Sequence, residues 1–247
     1  GFMRKLILLG TLSFISVFAI AKHHEQTQDF PFKYFLQNDI YTENPEMFVS
    51  TVADFVGSGV LDSRGVALGL YQYNAVGRFG ASHVMMFSYP DADSLPSPTL
   101  MTTSKAHVAF TQGMSTAGNT PVQSTLYRSV KEVIPADGNT EDIKVFMNYF
   151  VKVSDADTYA KIWLDLMKKN GSTAYGLREV ISGDTDGVTH MIWMGYGSMA
   201  ELVKEQERLY ASEATKDALI EFAKIREIKR TAVLTVAVES ITETISN

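Results

Sequence analysis

The sequence repeats itself at an interval of about 107 residues, and this repeat limits the folds that the chain can adopt. The run GASHVMMFSY at 80–89 matches GVTHMIWMGY at 187–196, and ALGL at 67–70 matches AYGL at 174–177 in the same register. Several matches in the same order indicate an internal duplication. The chain is therefore predicted to fold as two similar units.

Each unit carries the same predicted pattern of strands and helices. Alternating stretches rich in aromatic and β-branched residues predict strands, and polar capping residues followed by apolar residues at helical spacing predict helices. In the second unit the predicted elements are a strand at 144–153, a helix capped by Ser154 and Asp155 and ending near Lys169, strands at 172–182 and 188–196, a helical region at 198–228 broken near 211–212, and a strand at 231–239.

This β-α-β-β-α-β order is the ferredoxin-like arrangement, in which helices cover only one face of the sheet. The other face must also be covered, because an exposed apolar sheet promotes aggregation. We therefore expect an α+β fold in which two tandem ferredoxin-like repeats pack sheet to sheet as a single-chain α+β barrel. The predicted boundaries are a signal peptide at 1–21, a polar segment at 22–31, repeats at 32–134 and 143–241, a linker at 135–142 and a tail at 242–247.

The N-terminal residues are typical of a bacterial secretory signal peptide. Arg4 and Lys5 precede an apolar stretch at 6–20, and a small-x-small site ends at Ala21. This pattern predicts a periplasmic or secreted protein that is not attached to the membrane after cleavage, with a retained anchor as the alternative. The two residues before Met3 are interpreted as a cloning scar or as part of an upstream reading frame.

Composition excludes several classes of function. The chain has 22 Lys and Arg against 28 Asp and Glu, with a pI near 5.4 and no long basic run, which argues against a nucleic-acid partner. Because there is no cysteine, disulfides, thiolate zinc sites, iron–sulfur clusters and cysteine nucleophiles are excluded. The sequence contains no phosphate-binding loop, nucleophile elbow or HExxH motif, and no metal site is predicted.

The run MGYGSMAEL at 194–202, followed by a helix with Ser212 before Leu219 and Phe222, has a distinctive spacing. It resembles the antibiotic-biosynthesis-monooxygenase-like group of the dimeric α+β barrel superfamily, over residues 143–241 and more weakly over 32–133. The resemblance implies a cofactor-independent oxygenase on an aromatic molecule, or a protein that degrades or binds haem. It also implies that the strand-one and strand-three positions line the cavity; these are Asn148 and Tyr196, with Gln37 and Tyr89 in the first repeat.

Alternation along the third strand of the second repeat gives two faces. His190, Ile192, Met194 and Tyr196 share one face, and Met191 and Trp193 share the other. Since the resemblance places Tyr196 in the cavity, the face with His190 is expected to point into the barrel, together with the equivalent His83 and Tyr89 of the first repeat. The other strands are expected to add Asn148, Arg178, Gln37 and Tyr71.

Two functions follow from these predictions, and a structural or partner-binding role is a third alternative. In an enzyme, Asn148 would polarise a carbonyl or enolate, and His190 with Tyr196 would transfer protons. In a non-catalytic envelope protein, the interior would hold a hydrophobic or aromatic small molecule, or haem bound by a histidine. No cofactor is predicted for the enzyme, a homo-oligomer is compatible with both functions, and either histidine could instead be structural. The predicted ligand-binding residues are His83, Tyr89, Gln37, Tyr71, Arg178 and Met194.

Overall fold

The computed structural model describes residues 27–96 and 104–240, and the predicted signal peptide lies outside these ranges. Within the described residues there are nine strands, five helices and one 3-10 turn at Asp62–Arg64. The strands are β1 (Thr27–Asp29), β2 (Tyr34–Tyr41), β3 (Ala67–Ala75), β4 (His83–Tyr89), β5 (Thr120–Pro135), β6 (Val145–Val153), β7 (Tyr175–Ser182), β8 (His190–Tyr196) and β9 (Arg226–Glu239). The helices are α1 (Pro45–Gly57), α2 (Lys105–Thr116), α3 (Ala156–Lys169), α4 (Met199–Ala211) and α5 (Glu213–Ile225).

Strands β2 to β9 form a closed antiparallel barrel. Their order around the barrel is β5-β2-β4-β3-β9-β6-β8-β7, and β5 pairs again with β7 to close it. The short strand β1 adds to the end of β5. The predicted class, an α+β barrel, is confirmed.

The two halves of the barrel have the same connectivity. In each half the spatial order is fourth, first, third and second strand, which is β5-β2-β4-β3 in the first half and β9-β6-β8-β7 in the second. Two strand pairings join the halves, β3 with β9 and β5 with β7. We call them the β3–β9 seam and the β5–β7 seam. A duplication as the origin of the two halves stays a prediction.

Side-chain caps fix where the helices begin. The side chain of Asn44 accepts a hydrogen bond of 3.1 Å from the Met47 N–H at the start of α1, and Asp155 caps α3 in the same way. Ser212 has an extended backbone and caps α5, which produces the predicted break in the helical region. The predicted helix end near Ile228 is wrong, because Arg226 already pairs with β6.

The apolar side chains form three cores. One fills the barrel interior with residues from both halves, including Phe35, Tyr127 and Phe150. The other two lie between the barrel wall and the helices of each half. The barrel wall is therefore buried on both of its faces beneath the helices, and the inner core is where a ligand site has to be sought.

Candidate functional site

The face of β8 predicted to point into the barrel points outward instead. Tyr196, Met194 and Ile192 belong to the core beneath α3, α4 and α5, and the hydroxyl of Tyr196 accepts a hydrogen bond of 3.0 Å from Gln206 on α4. The ring of His190 lies 6.3 Å from the ring of Tyr159 on α3. The predicted orientation of these residues is wrong.

The equivalent face of β4 also points outward. The ring of His83 lies 5.5 Å from Phe48 on α1, and Tyr89 belongs to the outer core of the first half. Nδ1 of His83 and of His190 each lies 2.9 Å from the hydroxyl of the preceding residue. Burial lowers the pKa of both imidazoles, which favours the neutral ring. This geometry fits a structural role for the histidines.

The prediction failed because β4 and β8 are buried on both faces. All seven residues of β4 are buried, and six of the seven in β8. A strand of this kind alternates between two apolar sets, so its pattern does not show which set faces inward. The inward set is Val84 and Met86 on β4, with Met191 and Trp193 on β8.

The other four predicted site residues do point into the barrel. Asn148, Arg178 and Tyr71 line one cavity. Gln37 also lies on the inner face, but it points away from this cavity and its amide donates a hydrogen bond of 2.9 Å to Asp39. The structure thus brings three of the predicted residues together, and it separates them from the two histidines.

The cavity lies at the end of the barrel where β9 ends and β6 begins. It has a volume of about 60 Å³ and is partly open to solvent. An apolar cavity that binds benzene measures about 150 Å³, so an aromatic ring can enter only if lining side chains move. The lining residues are Phe30, Tyr71, Val84, Met86, Ser88, Ile134, Thr140, Ile143, Phe146, Asn148, Arg178, Met191, Trp193, Leu234 and Glu239.

Arg178 is fully engaged by a buried ion pair across the β5–β7 seam. Its Nε and Nη2 donate to the two carboxylate oxygens of Glu132 at 2.7 and 3.0 Å. The indole of Trp193 donates a third hydrogen bond to Glu132, at 2.7 Å. The guanidinium carbon also lies 3.5 Å from the centre of the Phe35 ring. This bidentate, stacked arrangement leaves Arg178 little capacity to bind a ligand anion.

Glu239 presents a carboxyl group of different character to the same cavity. The hydroxyl of Tyr71 donates a long hydrogen bond of 3.4 Å to its Oε1. Burial raises the pKa of Glu239 to about 7, against the lowering effects of Tyr71 and Lys144. On the same wall, Oδ1 of Asn148 is buried and has no hydrogen-bond partner among the described residues.

A second polar cluster lies at the opposite end of the barrel interior. Asp39 accepts hydrogen bonds from Gln37 and from the hydroxyl of Tyr73, the latter at 2.7 Å. The guanidinium of Arg230 lies between two rings, 3.4 Å from Phe79 and 4.1 Å from Phe150. The hydrogen bond from Tyr73 to Asp39 links β3 with β2, and none of the residues of this cluster lines the cavity.

Sequence reasoning missed both glutamates of the inner face. Glu132 and Glu239 are 107 residues apart, which is the repeat interval already visible in the other matches. Aligning the last strand of each repeat in that register would have placed them at equivalent positions. Trp193, interpreted as core from the sequence, contacts both the cavity and Glu132.

The cavity residues do not fit a haem. No histidine among the described residues lines the cavity, so its lining cannot supply an axial imidazole to haem iron. Among all the residues that the structure describes, no group of three or more His, Asp or Glu side chains could hold a metal ion. None of the helices that the structure describes is long and apolar enough to cross a membrane.

Comparison with known proteins supports the fold. No protein-family model and no curated protein matches the chain. A candidate monooxygenase from Lactobacillus acidophilus NCFM superimposes with a TM-score of 0.56 at 10% identity, covering 85% of this chain and 96% of that one. The chain has the dimeric α+β barrel fold. Other α+β barrels that superimpose are a candidate monooxygenase from Fusobacterium nucleatum (TM-score 0.54, 13% identity, 86% and 94% covered) and an anthrone oxidase-like protein (0.51, 8%, 87% and 95%).

Proposed function

We propose that the protein is an oxygenase-type enzyme that acts on a small aromatic molecule bound in the cavity, without a resident cofactor. The observation that carries the proposal is the buried Oδ1 of Asn148, which has no partner among the described residues and lies on an aromatic wall. A buried acceptor without a partner is costly, and a ligand hydroxyl would satisfy it. The names of the monooxygenase and anthrone oxidase-like structures support this reaction class.

The wall offers geometry suited to an aromatic ring. Phe146 lies edge-on to both Tyr71 and Trp193, with ring centres 5.4 and 5.7 Å apart. Aromatic side chains on a cavity wall can pack edge to face or offset-stacked against the ring of a ligand. In the proposed reaction an activated methylene and dioxygen give a carbonyl and water, R₂CH₂ + O₂ → R₂C=O + H₂O. Dioxygen is the oxidant, and the enzyme supplies position and proton transfer.

Oxygen uptake tests the proposal. We expect the wild-type protein to consume dioxygen with anthrone, which carries an activated methylene. We expect Asn148→Leu, which keeps the volume but removes the acceptor, to lower kcat/KM by about tenfold or more. Tyr210→Phe on α4, outside the barrel, is the matched control and should match wild type. Equal kcat/KM values for Asn148→Leu and wild type would show that Asn148 does not take part in the reaction. No oxygen uptake by the wild-type protein would overturn the proposal that it is an oxygenase.

A non-catalytic binding protein is the second candidate. It is favoured by the small cavity and by the outward orientation of both His83 and His190. Its expected result is saturable binding of phenolic compounds in ligand-detected NMR, weakened by Asn148→Leu, with no oxygen uptake. This pair of outcomes separates it from the enzyme.

A further inference from the structure

The two seams of the barrel place a glutamate opposite a glycine in the same way. Glu132 pairs with Gly176 across the β5–β7 seam, and Glu239 pairs with Gly69 across the β3–β9 seam. Neither glycine has room for a side chain. A Cβ at Gly176 would lie 2.6 Å from Oε2 of Glu132, and a Cβ at Gly69 would lie 2.6 Å from the Tyr71 ring. The two seams are therefore built to one plan.

They differ in the residue two positions after the glycine. On the β5–β7 seam this is Arg178, which neutralises Glu132 through two short hydrogen bonds. On the β3–β9 seam it is Tyr71, which gives Glu239 one long hydrogen bond and no charge. No Lys, Arg or His among the described residues lies within ion-pair distance of Glu239.

The missing cation changes what the carboxyl group can do. A buried carboxylate without an opposite charge holds a proton more readily than one in an ion pair. Burial raises the pKa of Glu239 to about 7, and the hydrogen bond from Tyr71 and the charge of Lys144 offset this only in part. Both protonation states are therefore populated at neutral pH. A general base is most effective when its pKa is near the working pH. Glu239 also lines the cavity beside Asn148.

We infer that Glu239 is the proton acceptor of the cavity, and that its substrate is an aromatic molecule with an activated C–H beside a carbonyl. This inference rests on the proposed function for its site. In the step, the C–H bond breaks and its electron pair stays on the substrate as an enolate. An O–H bond forms on Glu239, at Oε2, because Oε1 accepts from Tyr71. The proton then leaves to water through the open side of the cavity.

Deuterium exchange tests this step without dioxygen. Anthrone is incubated with the protein in D₂O under anaerobic conditions, and loss of the methylene proton signal is followed by ¹H NMR. We expect the wild type to accelerate exchange above the buffer rate. We expect Glu239→Gln to reduce the protein-dependent rate by about 100-fold or more, with the Kd for anthrone changed by less than about threefold. Glu227→Gln, on the same strand and exposed, is the matched control.

Tyr71→Arg gives a second, independent test, because it installs the cation of the other seam. The new guanidinium should lower the pKa of Glu239, and the acidic limb of the exchange rate should move to lower pH. Wild-type exchange at the buffer rate, full exchange in Glu239→Gln, or an unmoved acidic limb in Tyr71→Arg would each overturn the inference. Exchange without oxygen uptake would instead leave Glu239 in place and refute the oxygenase.

Discussion

Glu132 and Glu239 each lie opposite a glycine across a seam, yet only Glu132 is paired with an arginine. Removing Arg178 would leave Glu132 buried and unpaired, a change that typically destabilises a protein by about 3–5 kcal/mol. Glu239 has no such dependence, since Tyr71 gives it only a long hydrogen bond. Within one barrel, the side chain two positions after the glycine therefore decides whether a buried carboxyl group is held in an ion pair.

The titration of Glu239 predicts a pH dependence of stability. Its pKa is about 7 in the folded protein against an ordinary value of 4.5, so the protonated form favours folding. The stabilising contribution is complete below pH 4.5 and is lost as the pH rises through 7, and it amounts to about 3 kcal/mol. Glu239→Gln keeps the neutral form at all pH values.

Urea unfolding at about pH 5 and about pH 8 measures this effect. The difference in unfolding free energy between Glu239→Gln and wild type should grow in favour of the variant as the pH rises. All other titrating groups are shared by the two proteins and cancel. A difference that is independent of pH would contradict the raised pKa.

At the scale of helices and strands, local chemistry made much of the fold predictable. The cap near 154–155 and the break near 211–212 depend only on nearby residues, so both were predicted from the sequence, and the structure assigns the two caps to Asp155 and Ser212. The orientation of β4 and β8 depends on which layer covers each face, and both faces are apolar. The partnership of Glu132 with Arg178 forms only when the barrel closes, so no local pattern indicates it.

The close packing at the β5–β7 seam predicts that an added side-chain atom at Gly176 destabilises the protein. In Gly176→Ala, the added Cβ would meet the indole nitrogen of Trp193 and Oε2 of Glu132. Both must move, which strains the network around Arg178 and should lower the unfolding free energy by about 2–3 kcal/mol. Gly57→Ala at the end of α1 meets no atom within 4 Å and serves as the control in the same denaturation experiment. Equal stability of Gly176→Ala and wild type would mean that Trp193 and Glu132 can move to make room for the added Cβ without a loss of stability.

At the scale of the whole molecule, a barrel made from one chain can have two different seams. Two identical chains would place the same residues at both seams, so both glutamates would meet either Arg or Tyr. Here the halves differ in sequence, and one seam carries Glu132 with Arg178 while the other carries Glu239 with Tyr71. The first can hold the barrel closed while the second remains available for proton transfer.

This arrangement predicts that folding does not depend on protein concentration. Every strand pairing of the barrel, including both seams, lies within one chain, so unfolding is a unimolecular process. The Tm measured by circular dichroism should therefore be unchanged over a dilution of about 100-fold, whereas a barrel assembled from two chains loses stability on dilution by mass action. Sedimentation velocity at both concentrations separates this folding unit from any homo-oligomer that forms through the outer helices. A Tm that rises with concentration would mean that a second chain contributes strands to the barrel. At least one of the two seams would then form between chains and not within one.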